Sequence, residues 1–123
     1  MLIFLYGQNS YSSIEYINEL VTRYQKKYPS GFNLHKFDLE EDNPDEIRNV
    51  VKGVSFFDDV KFVIIKNPLA KAAIIEKILK ENDIAKEKDT VLLLYQNSSE
   101  KDLKEKNDKL FNLLKKESQL KEF

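Results

Sequence analysis

The sequence contains no cysteine, and this absence excludes several kinds of chemistry at once. Disulfide bonds, zinc sites built from thiolates and cysteine nucleophiles are all ruled out. Histidine is nearly absent too, because His35 is the only one in 123 residues. A metal site held by several histidines is therefore excluded, and we expect neither a metal ion nor another cofactor.

Arginine, long apolar runs and an excess of one charge are also scarce. Arg23 and Arg48 are the only arginines, and 20 basic residues balance 21 acidic ones, which leaves a formal net charge of -1. This balance argues against a domain that binds nucleic acid through charge alone. Apolar runs such as residues 2–6 and 91–95 are far too short to span a bilayer. With no signal peptide visible either, we expect a cytoplasmic protein without a membrane partner.

What the sequence does contain is a globular composition and a regular alternation of elements. Hydrophobic residues make up 41% and charged residues 33%, which is typical of a single folded domain of this length. Strand-like segments at residues 2–6, 32–39, 62–65, 90–95 and 120–123 are separated by four helical segments. This order predicts an α/β fold with three layers (α/β/α), a five-stranded parallel sheet and right-handed crossovers.

Composition also predicts where the strands lie and where the helices begin. Residues 2–6 are apolar throughout and are expected in the middle of the sheet, whereas residues 32–39 carry interleaved polar side chains and are expected at an edge. Ser12 and Glu15 form a capping-box pattern for the first helix, and Asn43-Pro44 is a typical start for the second. The second helix is expected to bury Ile47, Val50, Val51 and Val54.

The turn after the first strand stands where a phosphate-binding P-loop would be. A working loop reads G-x-x-x-x-G-K-[ST], with a lysine for the outer phosphates and a hydroxyl for magnesium. Gly7 matches the first glycine, but Ser12 replaces the second glycine, Ser13 the lysine and Ile14 the hydroxyl. The sequence therefore predicts a P-loop-like fold with a degenerate nucleotide site.

The magnesium-binding half of such a site is missing as well. A P-loop enzyme needs a carboxylate at the end of a neighbouring apolar strand. Residues 62–65 are instead followed by Lys66 and Asn67, and a lysine there would repel the metal. An ordinary strand-to-helix turn at Gly7 is the favoured interpretation, and a small nucleotide-binding enzyme with a non-standard loop stays open as the alternative.

Other candidate chemistry in the sequence is weak. Residues 40–42 and Asp58-Asp59 are clustered acids that we interpret as solvated turns, and the serine pair at positions 12 and 13 has only His35 as a potential base. His35 itself is interpreted as a surface residue. The last helix mixes lysines with acids, which indicates a solvated face and not a DNA-tracking patch.

The segment Ser55-Phe56-Phe57 is the most informative stretch after the degenerate loop. Two adjacent aromatics cannot both face one side of a regular helix, and they follow Gly53 and precede two acids. Two interpretations stay open. The pair is either a loop anchor packed beneath the sheet or an exposed hydrophobic wedge that inserts into a partner's pocket, as interface hot spots do.

Taken in order, these segments resemble a known family. They are residues 3–7 (IFLYG), 37–38 (FD), 55–67 (SFFDDVKFVIIKN) and 121–123 (KEF). The chain is similar to the N-terminal domain of the delta subunit of bacterial DNA polymerase III, a clamp-loader subunit. The resemblance covers essentially the whole chain. It departs from the family at Phe56, where a leucine is usual.

The resemblance implies an AAA+ fold with a nucleotide-free P-loop and the strand order 5-1-4-3-2. It implies that Phe56 and Phe57, with Ser55 beside them, bind the sliding clamp (beta) during DNA replication. The domain would catalyse nothing itself, and any DNA-directed DNA polymerase (nucleotidyltransferase) activity would belong to the holoenzyme. Other clamp-loader subunits would be bound through lid and collar domains absent from residues 1–123, and DNA only indirectly.

A further alternative is a delta-prime-like clamp-loader subunit, which also has a silent nucleotide site. Such subunits usually carry a zinc module. The cysteine-free sequence has none, so this alternative ranks below the delta subunit.

Overall fold

The computed structural model describes residues 1–55, 57 and 59–123 of the chain. Phe56 and Asp58, both named above as candidates, lie outside the described residues. Within the described part, five strands alternate with four α-helices. They are β1 (Leu2–Tyr6), α1 (Ser10–Lys27), β2 (Leu34–Asp38), α2 (Pro44–Lys52), β3 (Lys61–Lys66), α3 (Ala72–Asn82), β4 (Thr90–Gln96), α4 (Glu100–Glu117) and β5 (Gln119–Glu122).

The strands form one sheet in the order β2-β3-β4-β1-β5, and every neighbouring pair runs parallel. The predicted parallel sheet and its strand order are confirmed. β2 is an edge strand, as its interleaved polar residues indicated. β1 is an interior strand between β4 and β5, although β4 and not β1 occupies the middle.

Helices cover both faces of the sheet, which confirms the three layers. α1 packs alone on one face, where Ile17 and Val21 meet buried side chains of β1, β3 and β4. The helices α2, α3 and α4 share the opposite face and build the larger core there. Because β2 lies at the far edge from β1, α1 has to cross the sheet on its own face, as right-handed crossovers require.

The start of α1 differs from the prediction. The side-chain oxygen of Asn9 accepts a hydrogen bond from the backbone N–H of Ser12 at 3.1 Å, so Asn9 is the N-cap and Ser12 lies inside the first turn. The predicted capping box of Ser12 and Glu15 is wrong because Asn9 provides an equally good cap one turn earlier. The predicted start of α2 is confirmed, with Asn43 as its cap and Pro44 in its first turn.

The end of α2 also differs from the prediction. The helix stops at Lys52, and Gly53 follows with an extended backbone. Ile47 and Val51 are buried, as predicted, but Val54 is 94% exposed because the chain has already left the helix. Among the described residues, no helix is long and apolar enough to cross a membrane.

Candidate functional site

The turn after β1 consists of residues 7–9 and packs against the backbone of Phe123, which follows β5. Gly7 has φ +126°, a conformation that side chains rarely tolerate. A Cβ atom added there would lie 2.0 Å from the carbonyl oxygen of Phe123. Glycine is therefore required at position 7 because the backbone of Phe123 occupies the space that any side chain would need.

The backbone N–H groups of this turn already have acceptors. Gly7 donates to the carbonyl of Ser98 at 2.9 Å, and both Gln8 (3.1 Å) and Asn9 (3.3 Å) donate to the carbonyl of Phe123. In a P-loop, the corresponding backbone N–H groups point at the phosphates of the nucleotide. In this chain they bind protein carbonyls instead.

The residues that replace the P-loop signature are helical. Ser12, Ser13 and Ile14 all lie within α1, which begins at Ser10. The hydroxyl of Ser13 donates to the carbonyl of Ser10 at 3.0 Å, so it is used inside the helix. The loop that would wrap around a phosphate is thus shortened to residues 7–9.

The carboxyl ends of the strands, where open sheets of this class bind ligands, form a shallow groove of about 310 Å³ beside α1. The pairing register aligns Asp38, Lys66 and Tyr95 across it, and Ile14 lies on the helix side. Burial raises the pKa of the Tyr95 hydroxyl. Lys66 is exposed at the end of β3, where a magnesium-binding carboxylate would be needed.

Asp38 is a carboxylate at these carboxyl ends, and it accepts its hydrogen bonds from residues of nearby turns. Its Oδ1 accepts from the backbone N–H of Glu40 and from the side-chain amide of Asn67, each at 3.0 Å. These two bonds lower the pKa of Asp38, the first more than the second. β2 is three strands from β1, about 14 Å away, so Asp38 cannot share a metal with a ligand at Gly7. No cluster of three metal-ligating side chains occurs within the described residues.

The turn between α2 and β3 lies at the amino ends of the parallel strands, opposite the groove. A buried lysine holds its beginning. Lys61 is only 3% exposed. Its Nζ donates to the carbonyls of Val51 at 2.9 Å and Gly53 at 2.6 Å, so the ammonium caps the carboxyl end of α2. Burial lowers the pKa of this ammonium, and the charge of Glu87 partly opposes that shift.

A tyrosine from α1 holds the end of the same turn. The hydroxyl of Tyr24 donates a hydrogen bond to the carbonyl of Val60, the residue just before β3. The Tyr24 ring packs against the rings of Tyr28 and Phe62, with centroid distances of 5.0 and 5.4 Å. The two ends of the turn are therefore bound to different parts of the fold.

Phe57 in this turn and Phe32 from a neighbouring segment form an exposed aromatic pair. Phe57 is 73% exposed and Phe32, from the segment before β2, is 60% exposed. Their ring centroids are 6.0 Å apart. Phe57 has φ +58°, a left-handed conformation that is uncommon for a bulky residue and tends to occur at functional positions. Ser55 is half-buried at the base of the turn.

Sequence reasoning missed three residues of this region: Tyr24, Phe32 and Lys61. A helical tyrosine and a lysine before a strand look like ordinary core and surface positions, and lysines are almost never buried. Phe32 did carry a signal, because it follows Gly31 at the end of a turn. Gly31 has φ +71°, which starts the reversal that leads to the exposed ring.

The remaining candidates have local roles. The His35 ring stacks on Phe37 at 6.5 Å, and burial followed by the charge of Lys61 lowers its pKa. Asp42 accepts a hydrogen bond from the backbone N–H of Asp38 at 2.7 Å and so belongs to a turn. These contacts account for both residues without any chemistry.

The fold places the protein among the three-layer α/β domains with a purely parallel five-stranded sheet. A family model described as DNA polymerase III, delta subunit, matches residues 3–123, so the chain belongs to that family. Among solved structures, the chain is similar to the Bacillus subtilis DNA clamp loader delta protein (YqeN), with 24% identity and a TM-score of 0.71. That likeness shows the fold, and it covers 99% of this chain but 38% of the other. No curated protein matches the sequence.

Proposed function

We propose that this chain is the N-terminal domain of a clamp-loader delta subunit and that it binds the sliding clamp through the turn between α2 and β3. The observation that carries the proposal is Phe57, a large apolar ring that is 73% exposed on a turn bound at both ends. Membership of the delta subunit family supports the choice of partner.

The geometry suits a wedge better than a loop anchor. An anchor would place the Phe57 ring in the core, whereas it projects into solvent with Phe32 beside it. Aromatic side chains that enter a partner's pocket are typical hot spots of protein interfaces. Ser55 at the base of the turn and Phe56, outside the described residues, complete the proposed contact. Its action is mechanical: docking favours the open state of one clamp interface.

The proposed function requires no nucleotide on this domain. Support comes from the turn after β1, where the N–H groups of Gly7, Gln8 and Asn9 donate to protein carbonyls. A small nucleotide-binding enzyme would need those donors free and a cation near the phosphates. Neither requirement is met at residues 7–14, so the geometry favours the AAA+ fold as a silent framework.

The remaining parts of the proposal concern the whole subunit. Because the chain spans 38% of the length of the Bacillus subtilis protein, we propose that it is one domain of a longer polypeptide. Lid and collar domains would then join it to other clamp-loader subunits. Contact with DNA would be indirect, through the clamp and those subunits, and polymerase activity would reside in the holoenzyme.

A titration with the sliding clamp of the same organism tests the proposal. Phe57→Ala is expected to weaken clamp binding more than about tenfold while thermal stability barely changes, because the ring is exposed. Tyr11→Ala is the matched control, since Tyr11 is 78% exposed in the first turn of α1, at the opposite, carboxyl ends of the strands. Phe56→Ala is measured separately. If Phe57→Ala and Phe56→Ala both bind the clamp as the unaltered chain does, the proposal fails.

A further inference from the structure

We propose that Tyr24 and Lys61 are positioning residues, which hold residues 53–60 in the geometry that presents Phe57 to the clamp. This inference rests on the proposed function and deepens it. Neither side chain belongs to the exposed aromatic pair. Each acts on the pair through a hydrogen bond to the backbone at one end of the turn.

The Lys61 contact fixes the beginning of the turn. Burying a lysine is unfavourable unless its charge is hydrogen-bonded, and here Nζ binds the carbonyls of Val51 and Gly53. The last helical turn of α2 and the first residue after it are thereby tied to the start of β3. A methionine or leucine would fill the same space without the free-energy cost of desolvating a charge. The ammonium is therefore explained by the carbonyls that it binds.

The Tyr24 contact fixes the end of the turn. Its ring is held between Tyr28 and Phe62, so the hydroxyl has a defined position before it meets the carbonyl of Val60. This bond joins α1 to the residue before β3 across 36 positions of sequence. Moving Val60 away from α1 would break this bond.

Open space lies beside the described residues of the turn. A cavity of about 410 Å³ lies between the turn, which contributes Ser55 and Asp59, and the segment before β4, which contributes Ile84 and Asp89. Ser55 and Asp59, which lie on either side of Phe57 in the sequence, border this space. On this inference, the hydrogen bonds of Lys61 and Tyr24 at the two ends of the turn set where Phe57 lies. Pre-organising a binding turn in this way raises affinity by reducing the entropy lost on docking.

The sharpest test removes one hydroxyl. Tyr24→Phe keeps the ring and deletes the bond to Val60, whereas Tyr28→Phe deletes the hydroxyl of the neighbouring ring and leaves that bond in place. In a titration with the sliding clamp, Tyr24→Phe is expected to weaken binding about three- to tenfold. Tyr28→Phe should leave the affinity unchanged.

A double-mutant cycle separates positioning from general stability. If Tyr24 acts through Phe57, adding Tyr24→Phe to Phe57→Ala causes no further loss of clamp affinity, although any loss of thermal stability remains. In the free chain, Tyr24→Phe should also speed amide hydrogen exchange within residues 54–60. Lys61→Met, matched with Lys66→Met at the exposed end of the same strand, tests the other bond in the same way.

The outcomes distinguish the two proposals. Normal clamp binding by Phe57→Ala and Phe56→Ala overturns the proposed function and the inference together. Weak binding by Phe57→Ala with normal binding and normal exchange in Tyr24→Phe overturns the inference alone. An effect of Tyr24→Phe that is equally large in the Phe57→Ala background also overturns it, because the tyrosine then acts independently of the ring.

Discussion

The two turns that matter in this domain lie at opposite ends of the strands of one parallel sheet, and they differ in which groups they leave exposed. After β1, the N–H groups of residues 7–9 donate hydrogen bonds to the carbonyls of Ser98 and Phe123, so the turn has no free backbone donor for a ligand. Before β3, side chains bind the backbone at both ends, and an aromatic ring at the centre is left in solvent.

On the proposed function, the difference is the one between an absent phosphate site and a docking site. A phosphate site consists of unsatisfied donors, so it disappears when neighbouring carbonyls accept those donors. A docking site consists of apolar surface held in place, so its polar groups are satisfied at the margins and its ring stays exposed. The contrast is a hypothesis about function, and each half of it can be tested separately.

The largest expected effect comes from opening the closed turn. Gly7→Ala forces a Cβ into the backbone of Phe123 at φ +126°. Urea unfolding should show a loss of at least about 3 kcal/mol, because backbone strain of this kind costs about 1–3 kcal/mol and the collision adds to it. Gly31→Ala is the control, since Gly31 also has positive φ but nothing lies within 4 Å of its Cβ position. Equal losses in the two variants would contradict the close contact with Phe123.

A smaller effect is expected from Lys61→Met, which removes the bonds to Val51 and Gly53. Leaving the buried carbonyl of Val51 unpaired should lower the free energy of unfolding by about 1–3 kcal/mol at neutral pH, whereas the part-buried carbonyl of Gly53 can bind water instead. Lys66→Met, at the exposed end of the same strand, should change it by less than about 0.5 kcal/mol. Similar values for the two variants would show that the Lys61 ammonium does not hold the turn.

The same pair of variants gives a pH dependence with a defined sign. Burial lowers the pKa of Lys61 in the folded chain below the ordinary 10.5 of the unfolded chain. Between those two pKa values the unfolded chain binds more protons, so the free energy of unfolding increases with rising pH. This pH-dependent increment is lost as the pH falls through the folded pKa, and the hydrogen bonds of the charged ammonium then make the remaining contribution. The stability difference between the unaltered chain and Lys61→Met should therefore grow toward pH 10.5. A difference that shrinks over this range would contradict the pKa shift.

No effect is expected from a nucleotide. Adding ATP and magnesium should leave the melting temperature of the chain unchanged and release no phosphate. A bound ligand well above its dissociation constant would stabilise the fold by roughly 2–4 kcal/mol, which a thermal melt detects easily. A clear ATP-dependent rise would show that Gly7, Gln8 and Asn9 give up their carbonyl partners to a phosphate.

Much of the fold follows from the sequence, because strand burial leaves a direct composition signal. The apolar runs of β1, β3 and β4 and the mixed run of β2 predicted which strands lie inside the sheet and which at the edge. The ends of helices follow less directly from the sequence. Asn9 and Ser12 are both good N-cap residues, and only the tertiary structure selects Asn9. Val54 was placed wrongly because a helical pattern continues in sequence after the helix has ended.

The candidate site was predictable only in part. Adjacent phenylalanines after a glycine pointed to the turn, but no pattern in the sequence distinguishes an exposed ring from a buried one. The bonds of Tyr24 and Lys61 join residues from separate elements, so they become visible only when α1, α2 and β3 are assembled. Local sequence signals predict elements well and predict contacts between elements poorly.

Amide hydrogen exchange of the chain with and without the sliding clamp tests the central claim most directly. The account predicts that the clamp slows exchange within residues 54–60, around Phe57, and leaves the N–H groups of Gly7, Gln8 and Asn9 as they were. Phe57→Ala should abolish the protection at the clamp concentration used. Protection at residues 7–9 without any at 54–60 would contradict the account, because the clamp would then bind the turn after β1, which we interpret as closed.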